Sequence, residues 1–224
     1  MNYLAIGLVI IIVIILYNVY FYLTNTTLTS GLQELSKQTT ITYDKLKQPS
    51  SYTYSYQCWL YLSNPANKQI FYRGPSDSKS EFEVDISGQE LILKTGTGTV
   101  EPTQTMTITS NFPIQKWTYL VINVYNLQTF EAYINGKLTK TVNVPKNKSP
   151  IPSSRTSSLY IGNGELKGYV TKFTRTPEVL DAKTIWEKYL AGNGLSNMFS
   201  SLIPYGLNMS ISKGEEVQRV INVF

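Results

Sequence analysis

The sequence predicts a mainly β protein: an antiparallel β-sandwich with one short helix on its C-terminal side, preceded by an N-terminal transmembrane helix. Three observations lead to this fold class. Residues 1–23 are almost entirely apolar, whereas the rest of the chain is rich in Tyr, Thr and Ser. From Tyr54 onward, apolar and polar residues alternate in short segments, which is the period of a half-buried strand. The 224 residues suffice for one folded domain and an anchor.

The N-terminal segment 1–23 is predicted to cross a membrane once. Leu4–Leu23 carries no charged residue and one amide, Asn18. As a helix, a segment of this length spans about 30 Å, the thickness of the hydrocarbon core of a bilayer. No Lys or Arg precedes the segment, and it is longer than the apolar core of a signal peptide. A retained anchor is therefore favoured over a cleaved signal peptide.

Residues 24–52 are predicted to form a juxtamembrane stalk. Leu28, Leu32 and Leu35 recur at intervals of four and three residues, which favours a short amphipathic helix beside the membrane or a partner. The alternative is a solvated stalk whose leucines pack on the chain's own domain. The spacing is compatible with both interpretations.

Residues 53–192 are predicted to form the sandwich. β-branched and aromatic residues fill short segments that are mostly separated by Gly, Pro, Asn or Asp. The predicted strands are 54–62, 68–73, 81–87, 90–95, 104–109, 116–125, 129–135, 138–144, 158–162 and 168–175. Asn135-Gly136 is a residue pair that adopts the positive φ angles of a tight turn, so 129–144 is predicted to be a hairpin.

One helix and two further strands are predicted to complete the chain. Asp181 is a residue type that caps helices, and Gly192 is one that ends them. The apolar stripe between them consists of Ile185, Trp186, Tyr189 and Leu190. We expect this stripe to pack on the sandwich. Residues 193–224 are predicted to form a strand pair, 206–212 and 216–224, or an extension.

The composition excludes several classes of function. The chain has no histidine, which removes Ser-His-Asp and Cys-His catalytic arrangements and every His-ligated zinc site. Cys58 is the single cysteine, so neither an intrachain disulfide nor a four-cysteine metal site can form. We therefore expect a protein that is not an enzyme and that uses no cofactor or metal.

Several motifs follow one another in a characteristic order. They are Trp59 in an early strand, Lys116–Val121, the hairpin Phe130–Leu138, Leu159–Gly162, and the strand Gly168–Phe173 followed by the helix Leu180–Trp186. Their order and spacing resemble the laminin-G-like, concanavalin A-like jelly-roll family over residues 52–192. The resemblance implies a jelly-roll sandwich. It implies no single activity, because this scaffold serves many functions.

The domain plan carries a second resemblance. One such sandwich behind an N-terminal anchor, without disulfides, resembles the membrane-associated minor capsid proteins of large icosahedral DNA viruses. This implies a structural virion protein in an internal membrane, with the sandwich facing the capsid and linking the two through protein–protein contacts. The implied partners are other capsid or membrane proteins and the lipid bilayer, which Leu4–Leu23 would cross.

The alternative function is a membrane-displayed, lectin-like module that binds glycans. The chain has 17 tyrosines and three tryptophans, whose rings stack on sugars. Trp59, Trp117 and Trp186 nevertheless fall where core packing is expected, and tyrosine is a favoured strand residue. The aromatic content alone therefore does not decide between a glycan and a protein partner.

A row of carboxylates is the strongest candidate for catalysis. Glu81, Glu83 and Asp85 alternate along one predicted strand and therefore face one side. Jelly-roll glucanases carry a similar Glu-x-Asp-x-Glu trio, and glycoside hydrolysis needs a carboxylate pair. Here the acid types are permuted, and alternation with buried apolar residues explains the pattern, so a solvated strand face is favoured. Asp77 is a candidate calcium ligand, but without an acidic neighbour an ordinary turn is favoured.

Basic residues are concentrated between Lys137 and Lys188, where ten basic and four acidic residues give a local excess of +6. Such a surface favours an acidic partner, either anionic lipid or an acidic protein face. No nucleic-acid-binding motif accompanies it, so nucleic acid is not an expected partner. The stretch 146–152 is typical of a solvated loop, and the alternative is that it binds a partner, with Lys146, Lys148 and the nearby Arg155 as the predicted partner-binding residues.

Overall fold

The computed structural model describes residues 3–24, 27–29, 31–74, 81–96, 102–145, 156–194, 208–213 and 216–222. The helices are α1 (Tyr3–Thr24) and α2 (Ala182–Leu190), and a short 3-10 helix covers Tyr43–Lys45. The strands are β1 (Thr27–Thr29), β2 (Gln33–Glu34), β3 (Thr39–Ile41), β4 (Tyr54–Leu62), β5 (Ala66–Gly74), β6 (Phe82–Gly88), β7 (Glu90–Gly96), β8 (Pro102–Thr109), β9 (Thr118–Tyr125), β10 (Thr129–Ile134), β11 (Lys137–Asn143), β12 (Ser158–Ile161), β13 (Gly168–Thr176), β14 (Asn208–Lys213) and β15 (Glu216–Asn222).

Two antiparallel sheets form the sandwich. The seven-stranded sheet has the order β1-β13-β4-β9-β10-β11, and β2 also pairs with β13. The six-stranded sheet has the order β3-β12-β5-β6-β7-β8. All strand pairs described in these two sheets are antiparallel. The predicted fold class, a mainly β sandwich with a short helix, is confirmed.

The ten strands predicted between residues 54 and 175 are all present. β4 has the predicted limits, and each of the others begins and ends within two residues of its prediction. The predicted hairpin is formed by β10 and β11, and Asn135 and Gly136 have φ angles of 51° and 77° at its turn. Alternation of residue types along each strand is a local property, which is why the sequence predicts these strands well.

The core lies between the two sheets and contains interlocking aromatic rings. Phe71 and Phe82 come from the six-stranded sheet, whereas Tyr56 and Phe173 come from the seven-stranded sheet. The ring of Phe71 lies 4.9 Å from that of Phe173 and 5.5 Å from that of Tyr56. Each of these four side chains is at most 2% exposed. Dispersion contacts and burial of these rings join one sheet to the other.

The predicted amphipathic helix in residues 24–52 is wrong. The segment forms β1, β2 and β3 instead, so the predicted stalk contributes strands to both sheets. Leu35 is fully buried and Leu28 packs against the core, while Leu32 is 47% exposed. The alternative in which leucines pack on their own domain is therefore the one observed for two of them. Extended pairing is stabilised here by β12 and β13, which offer hydrogen-bonding edges to the segment.

The predicted anchor segment is helical, as α1, over 22 residues. Within α1 the structure describes the side chains of residues 7–17, and those of Leu8–Tyr17 are exposed. When only residues with described side chains are counted, which in α1 are 7–17, no helix reaches the length and apolarity that crossing a membrane requires.

The last two predicted strands are also formed. β14 and β15 pair antiparallel in a separate two-stranded sheet. Their limits, Asn208–Lys213 and Glu216–Asn222, lie within two residues of the predicted ones. Residues 195–207 lie outside the described part of the chain.

Candidate functional site

The outward face of the seven-stranded sheet carries polar and aromatic residues that α2 partly covers. Side chains alternate across a strand, so Gln57, Trp59 and Tyr61 of β4 point away from the core. Trp59 packs against Tyr119 of β9 and Tyr189 of α2, with ring centroids 5.2 and 5.8 Å apart. Trp59 and Tyr119 are only 7% and 3% exposed. A second, smaller apolar cluster therefore lies outside the sandwich core and beneath α2.

Helix α2 is held to this face by its N-terminal end. The side chain of Asp181 caps the helix, because its Oδ1 accepts a hydrogen bond from the Thr184 backbone N–H at 3.0 Å. The fully buried side-chain amide of Asn123 binds both backbone polar groups of Leu180, the residue before Asp181. Its Nδ2 donates to the Leu180 carbonyl at 2.8 Å, and its Oδ1 accepts from the Leu180 N–H at 3.1 Å.

The hairpin turn between β10 and β11 supports the middle of α2. A Cβ atom at Gly136 would lie 2.6 Å from Cε3 of Trp186, so the glycine allows the indole to lie on the turn. Its positive φ is also one that glycine tolerates best. The predicted Asn-Gly turn thus reverses the chain and also provides a surface on which α2 packs.

A cavity of about 290 Å³ opens between the sheet and the C-terminal end of α2. We call it the α2 cavity. Its described lining residues are Gln57, Trp59, Tyr119, Lys172, Thr174, Lys188, Ala191 and Gly192. Binding sites for small ligands combine an apolar wall with a few polar groups at fixed positions, in volumes of about 300–1,000 Å³. The α2 cavity has this composition, and its volume lies just below that range.

Gln57 lines the α2 cavity and carries an amide donor that the described part of the chain leaves without a partner. The residue is 4% exposed, and its Oε1 accepts a hydrogen bond from the Tyr119 hydroxyl at 2.7 Å. Its Nε2 is buried and has no hydrogen-bond partner in the described part of the chain. An unsatisfied buried amide costs about 1–3 kcal/mol, which a ligand that accepts this hydrogen bond would recover.

Lys172 enters the α2 cavity from a β-bulge. The pairing of β13 with β4 shifts between Thr171 and Thr174, and Lys172 has a φ of 49°. A β-bulge changes the direction in which a side chain points. Residues with strained backbone angles occur often at functional sites. The Lys172 ammonium donates to the Gly192 carbonyl at 2.9 Å, which ties the sheet to the end of α2.

Lys188 supplies a second positive charge. Desolvation by partial burial, followed by repulsion from Lys172, lowers the pKa of Lys188 below its ordinary value. The two charged residues among the described lining residues are both lysines. The α2 cavity favours a negatively charged group.

The carboxylates proposed from the sequence lie on the outward face of the other sheet. Phe82, Val84 and Ile86 are buried in the core, so the predicted alternation along this strand is present. Glu81 is 9% exposed, and its Oε1 accepts a hydrogen bond from the Ser157 hydroxyl at 2.8 Å. The row is thus less solvated than the sequence suggests.

Lys94 of β7 binds both remaining carboxylates. Its ammonium lies 3.2 Å from Oε1 of Glu83 and also donates to Asp85. Desolvation, with a contribution from the hydrogen bond to Glu83, raises the pKa of Asp85 from 3.8 to about 6. A lysine between two carboxylates holds them as an ion-pair cluster on the sheet surface.

We expect Asp85→Asn to change how stability depends on pH. Because the folded pKa lies above the unfolded one, the folded state holds the proton more tightly, and this stabilisation is present below about pH 4 and lost as the pH rises through about 6. In chemical denaturation the unmodified protein should gain about 1–2 kcal/mol between pH 7 and 4.5 relative to Asp85→Asn. Glu178→Gln, at an exposed carboxylate, is the control. A difference between Asp85→Asn and the unmodified protein that stays constant over this range would contradict the expectation.

Some residues identified from the sequence lie outside the part of the chain that the structure describes, and one lies at a position other than the expected one. Lys146, Lys148 and Arg155 lie outside the described residues, as does Asp77. Of the tryptophans expected to be in the core, Trp186 is 41% exposed and belongs to the α2 face. Within the described ranges, no group of three or more His, Cys, Asp or Glu side chains is arranged to hold a metal ion.

Sequence reasoning missed the residues that line the α2 cavity. Lys172 and Lys188 were counted only within the basic excess, and Gln57 drew no attention because one amide in an aromatic strand carries no motif. Their proximity results from a bulge, a helix end and a strand register. Each of these depends on contacts between distant parts of the chain.

The two antiparallel sheets and the short helix on an outer face place the chain in the class of laminin-G-like β-sandwich domains. The chain belongs to the concanavalin A-like lectin/glucanases superfamily, whose laminin-G-type family model matches residues 35–191. The resemblance seen in the sequence is confirmed at this level. No curated protein gives a significant match.

Solved structures with a similar fold include binding domains of botulinum neurotoxins. The binding domain of botulinum neurotoxin DC, in complex with rat synaptotagmin II, matches with a TM-score of 0.55 and 18% identity over 69% of this chain and 40% of its own. A structure of botulinum neurotoxin type C, which depends on interaction with two ganglioside molecules to enter cells, matches with a TM-score of 0.53 and 17% identity over 69% and 40%.

A further structure described as a receptor binding domain matches with a TM-score of 0.55 and 16% identity over 73% of this chain and 45% of its own. The chain therefore spans less than half the length of these structures. Similarity at this identity shows a shared fold.

Proposed function

We propose that the protein is a non-enzymatic, membrane-anchored module that binds a glycan in the α2 cavity. The observation that carries the proposal is the combination in one cavity of an aromatic wall, Trp59 and Tyr119, with a buried amide donor that lacks a partner in the described part of the chain. Sugars offer apolar ring faces and hydrogen-bond acceptors together, and this pair of surfaces matches them.

The chemistry of the other polar groups supports a binding role. Glu83 and Asp85 both contact Lys94, and a positive charge between them competes with the distinct acid and base roles that hydrolysis requires. Cys58 lies in the core, and burial raises its pKa to about 12. Nucleophilic cysteines act as thiolates, which this environment disfavours. The protein has no histidine to replace these groups.

The neighbouring structures are compatible with this role. They include a structure described as a receptor binding domain and a structure of a botulinum neurotoxin whose cell entry depends on interaction with two ganglioside molecules. Because identity is below one fifth, they support the fold on which the proposal rests, and the α2 cavity supplies the argument for binding.

The glycan proposal is tested with the full chain in detergent micelles on a glycan array. We expect saturable, sugar-selective binding that Ala191→Trp abolishes, because Ala191 lies at the exposed rim of the α2 cavity and a large ring there fills it. Ala182→Trp makes the same change at an exposed position outside the lining, and should bind normally. Absence of binding by the unmodified protein, or equal binding by the two variants, would count against the proposal.

The membrane part of the proposal rests on α1. The helix covers the predicted Leu4–Leu23 segment, and the side chains of its described apolar residues, Leu8–Tyr17, are all exposed. An exposed apolar surface on this scale marks a site of interaction, and a lipid bilayer is the partner with matching chemistry. Insertion of Leu4–Leu23 would display the sandwich at a membrane surface.

We expect Ile12→Lys combined with Val13→Lys to release the full chain from membranes during alkaline carbonate extraction. A lysine near the centre of a spanning helix costs about 2.5–3.5 kcal/mol on insertion. Leu32→Lys combined with Leu138→Lys is the matched control, because both leucines are about half exposed outside α1. Retention of the α1 double variant in the pellet would argue against insertion of this segment.

The virion setting inferred from the domain plan stays a prediction. It requires that the sandwich contact capsid proteins, and it is compatible with the anchor and with a binding face on the sandwich. Localisation of the protein by immunogold labelling would test it, and exclusive labelling of an ordinary cell surface would contradict it.

A further inference from the structure

We infer that the ligand of the α2 cavity is an acidic saccharide whose carboxylate lies between Lys172 and Lys188. This inference rests on the proposed glycan-binding function and specifies the class of sugar. It follows from the charge of the cavity, the size of the cavity and the position of its unused hydrogen-bond donor.

The charges in the cavity select an anion. Two lysines line it, and every charged residue among its described lining residues is one of these two. Lys172 is half-buried and Lys188 is exposed, and repulsion between the two like charges falls when an anion binds between them. The Lys172 ammonium donates one hydrogen bond to the Gly192 carbonyl at 2.9 Å. An ammonium group has three protons, so protons of Lys172 remain available to a ligand.

The strength of the positive field favours a single negative charge. The C-terminal end of α2 forms one side of the cavity, since Ala191 is the C-cap and lines it together with Gly192. A helix C-terminus carries about half a negative charge, which offsets part of the two positive charges. The remaining charge is matched by a carboxylate better than by a doubly charged phosphate.

The other lining groups favour a sugar ring as the carrier of that carboxylate. Gln57 Nε2 needs an acceptor, and hydroxyl, ring and amide oxygens of a saccharide provide one. Trp59 and Tyr119 supply the apolar wall against which a ring face packs. A volume of about 290 Å³ accommodates one ring-sized unit, so we expect the cavity to hold a terminal or single acidic residue of a glycan.

The experiment compares pairs of probes that differ only in the carboxylate. The full chain in detergent micelles is titrated with glucuronic acid and glucose, and with N-acetylneuraminic acid and its methyl ester, with inorganic phosphate as a competitor. We expect at least one acid to bind at least tenfold more tightly than its neutral counterpart, and phosphate to compete more weakly than the acid.

The variants separate the cavity from general surface charge. Lys188→Glu should weaken binding of the acid at least tenfold. Lys183→Glu makes the same change on the same helix at a residue that is 85% exposed and outside the lining, and should leave binding unchanged. Lys172→Met should also weaken binding of the acid. Circular dichroism of each variant verifies that the sandwich is folded.

The outcomes distinguish the two proposals. Equal binding of acid and neutral sugar, stronger competition by phosphate, or equal losses in Lys188→Glu and Lys183→Glu would each overturn the acidic-sugar inference. Equal binding of the two sugars with loss in Ala191→Trp would leave the glycan-binding function standing. No binding of any sugar, on the array or in titration, would overturn both.

Discussion

Replacing Phe71 by alanine should lower the free energy of unfolding by about 3–5 kcal/mol, the usual cost of deleting a buried ring. Phe71 is 1% exposed and its ring contacts those of Tyr56, Phe82 and Phe173, so its removal opens a cavity where the two sheets meet. Since domains are stable by only about 5–15 kcal/mol, the loss is a large part of the total. Denaturation of the full chain in detergent, followed by tryptophan fluorescence, measures it.

Two further variants show whether the loss arises from the cavity. Phe71→Leu retains most of the volume and should cost less than about 1.5 kcal/mol. Tyr52→Ala removes an aromatic ring that is 59% exposed, and should change stability by less than about 0.5 kcal/mol. If Phe71→Ala were no more destabilising than Tyr52→Ala, the interlocked rings would not be what joins the sheets.

Replacing Asn123 by alanine should cost about 2–4 kcal/mol and detach α2 from the sheet. The substitution leaves the N–H and the carbonyl of Leu180 without their partners, and each unsatisfied buried group costs about 1–3 kcal/mol. Leu180 immediately precedes the cap of α2, so the helix would lose its fixed starting point. We therefore also expect the α2 cavity to lose its ligand.

Hydrogen exchange of the amides in Ala182–Leu190 gives a readout of this detachment. Protection should fall in Asn123→Ala while the strands of the six-stranded sheet keep theirs, since local elements open independently. Asn143→Ala is the matched control, because Asn143 is an exposed residue of β11 whose Oδ1 accepts one hydrogen bond from Thr129. Unchanged protection of α2 in Asn123→Ala would show that the aromatic contacts alone hold the helix.

The sequence predicts the parts of this fold that local patterns determine. Alternation identifies the strand Phe82–Gly88 because its inward residues are buried and its outward residues are more exposed to solvent. Asn135-Gly136 identifies a hairpin because positive φ angles are required in the two turn positions. Asp181 identifies a helix start because its side chain satisfies an otherwise free N–H.

The segment before the sandwich could not be predicted in the same way. Thr27 pairs with Thr174, and Thr39 pairs with Ile161, so partners far along the chain determine its structure. Without knowledge of these partners, the helical spacing of the three leucines predicts a helix in place of extended structure. Tertiary pairing then overrides the local pattern.

The binding site was predicted less well than the fold. Gln57, Lys172 and Lys188 lie on a strand, a bulge and a helix, and each is an ordinary polar residue in its own local sequence. What distinguishes them is a shared cavity, an unpaired donor and two neighbouring positive charges. These are properties of the assembled structure, and no spacing along the chain encodes them.

The crossing of residues 27–41 from one sheet to the other also has a mechanical consequence. β1 and β2 pair with β13 in one sheet, and β3 pairs with β12 in the other, directly after the helix α1. A pull transmitted along the chain from α1 would thus load the hydrogen bonds of both sheets in succession, and would reach β4 only after the first strands had peeled away. A chain tethered through α1 would therefore yield in steps under tension, with β1, β2 and β3 leaving their sheets before β4, the strand that carries Gln57 and Trp59 of the α2 cavity.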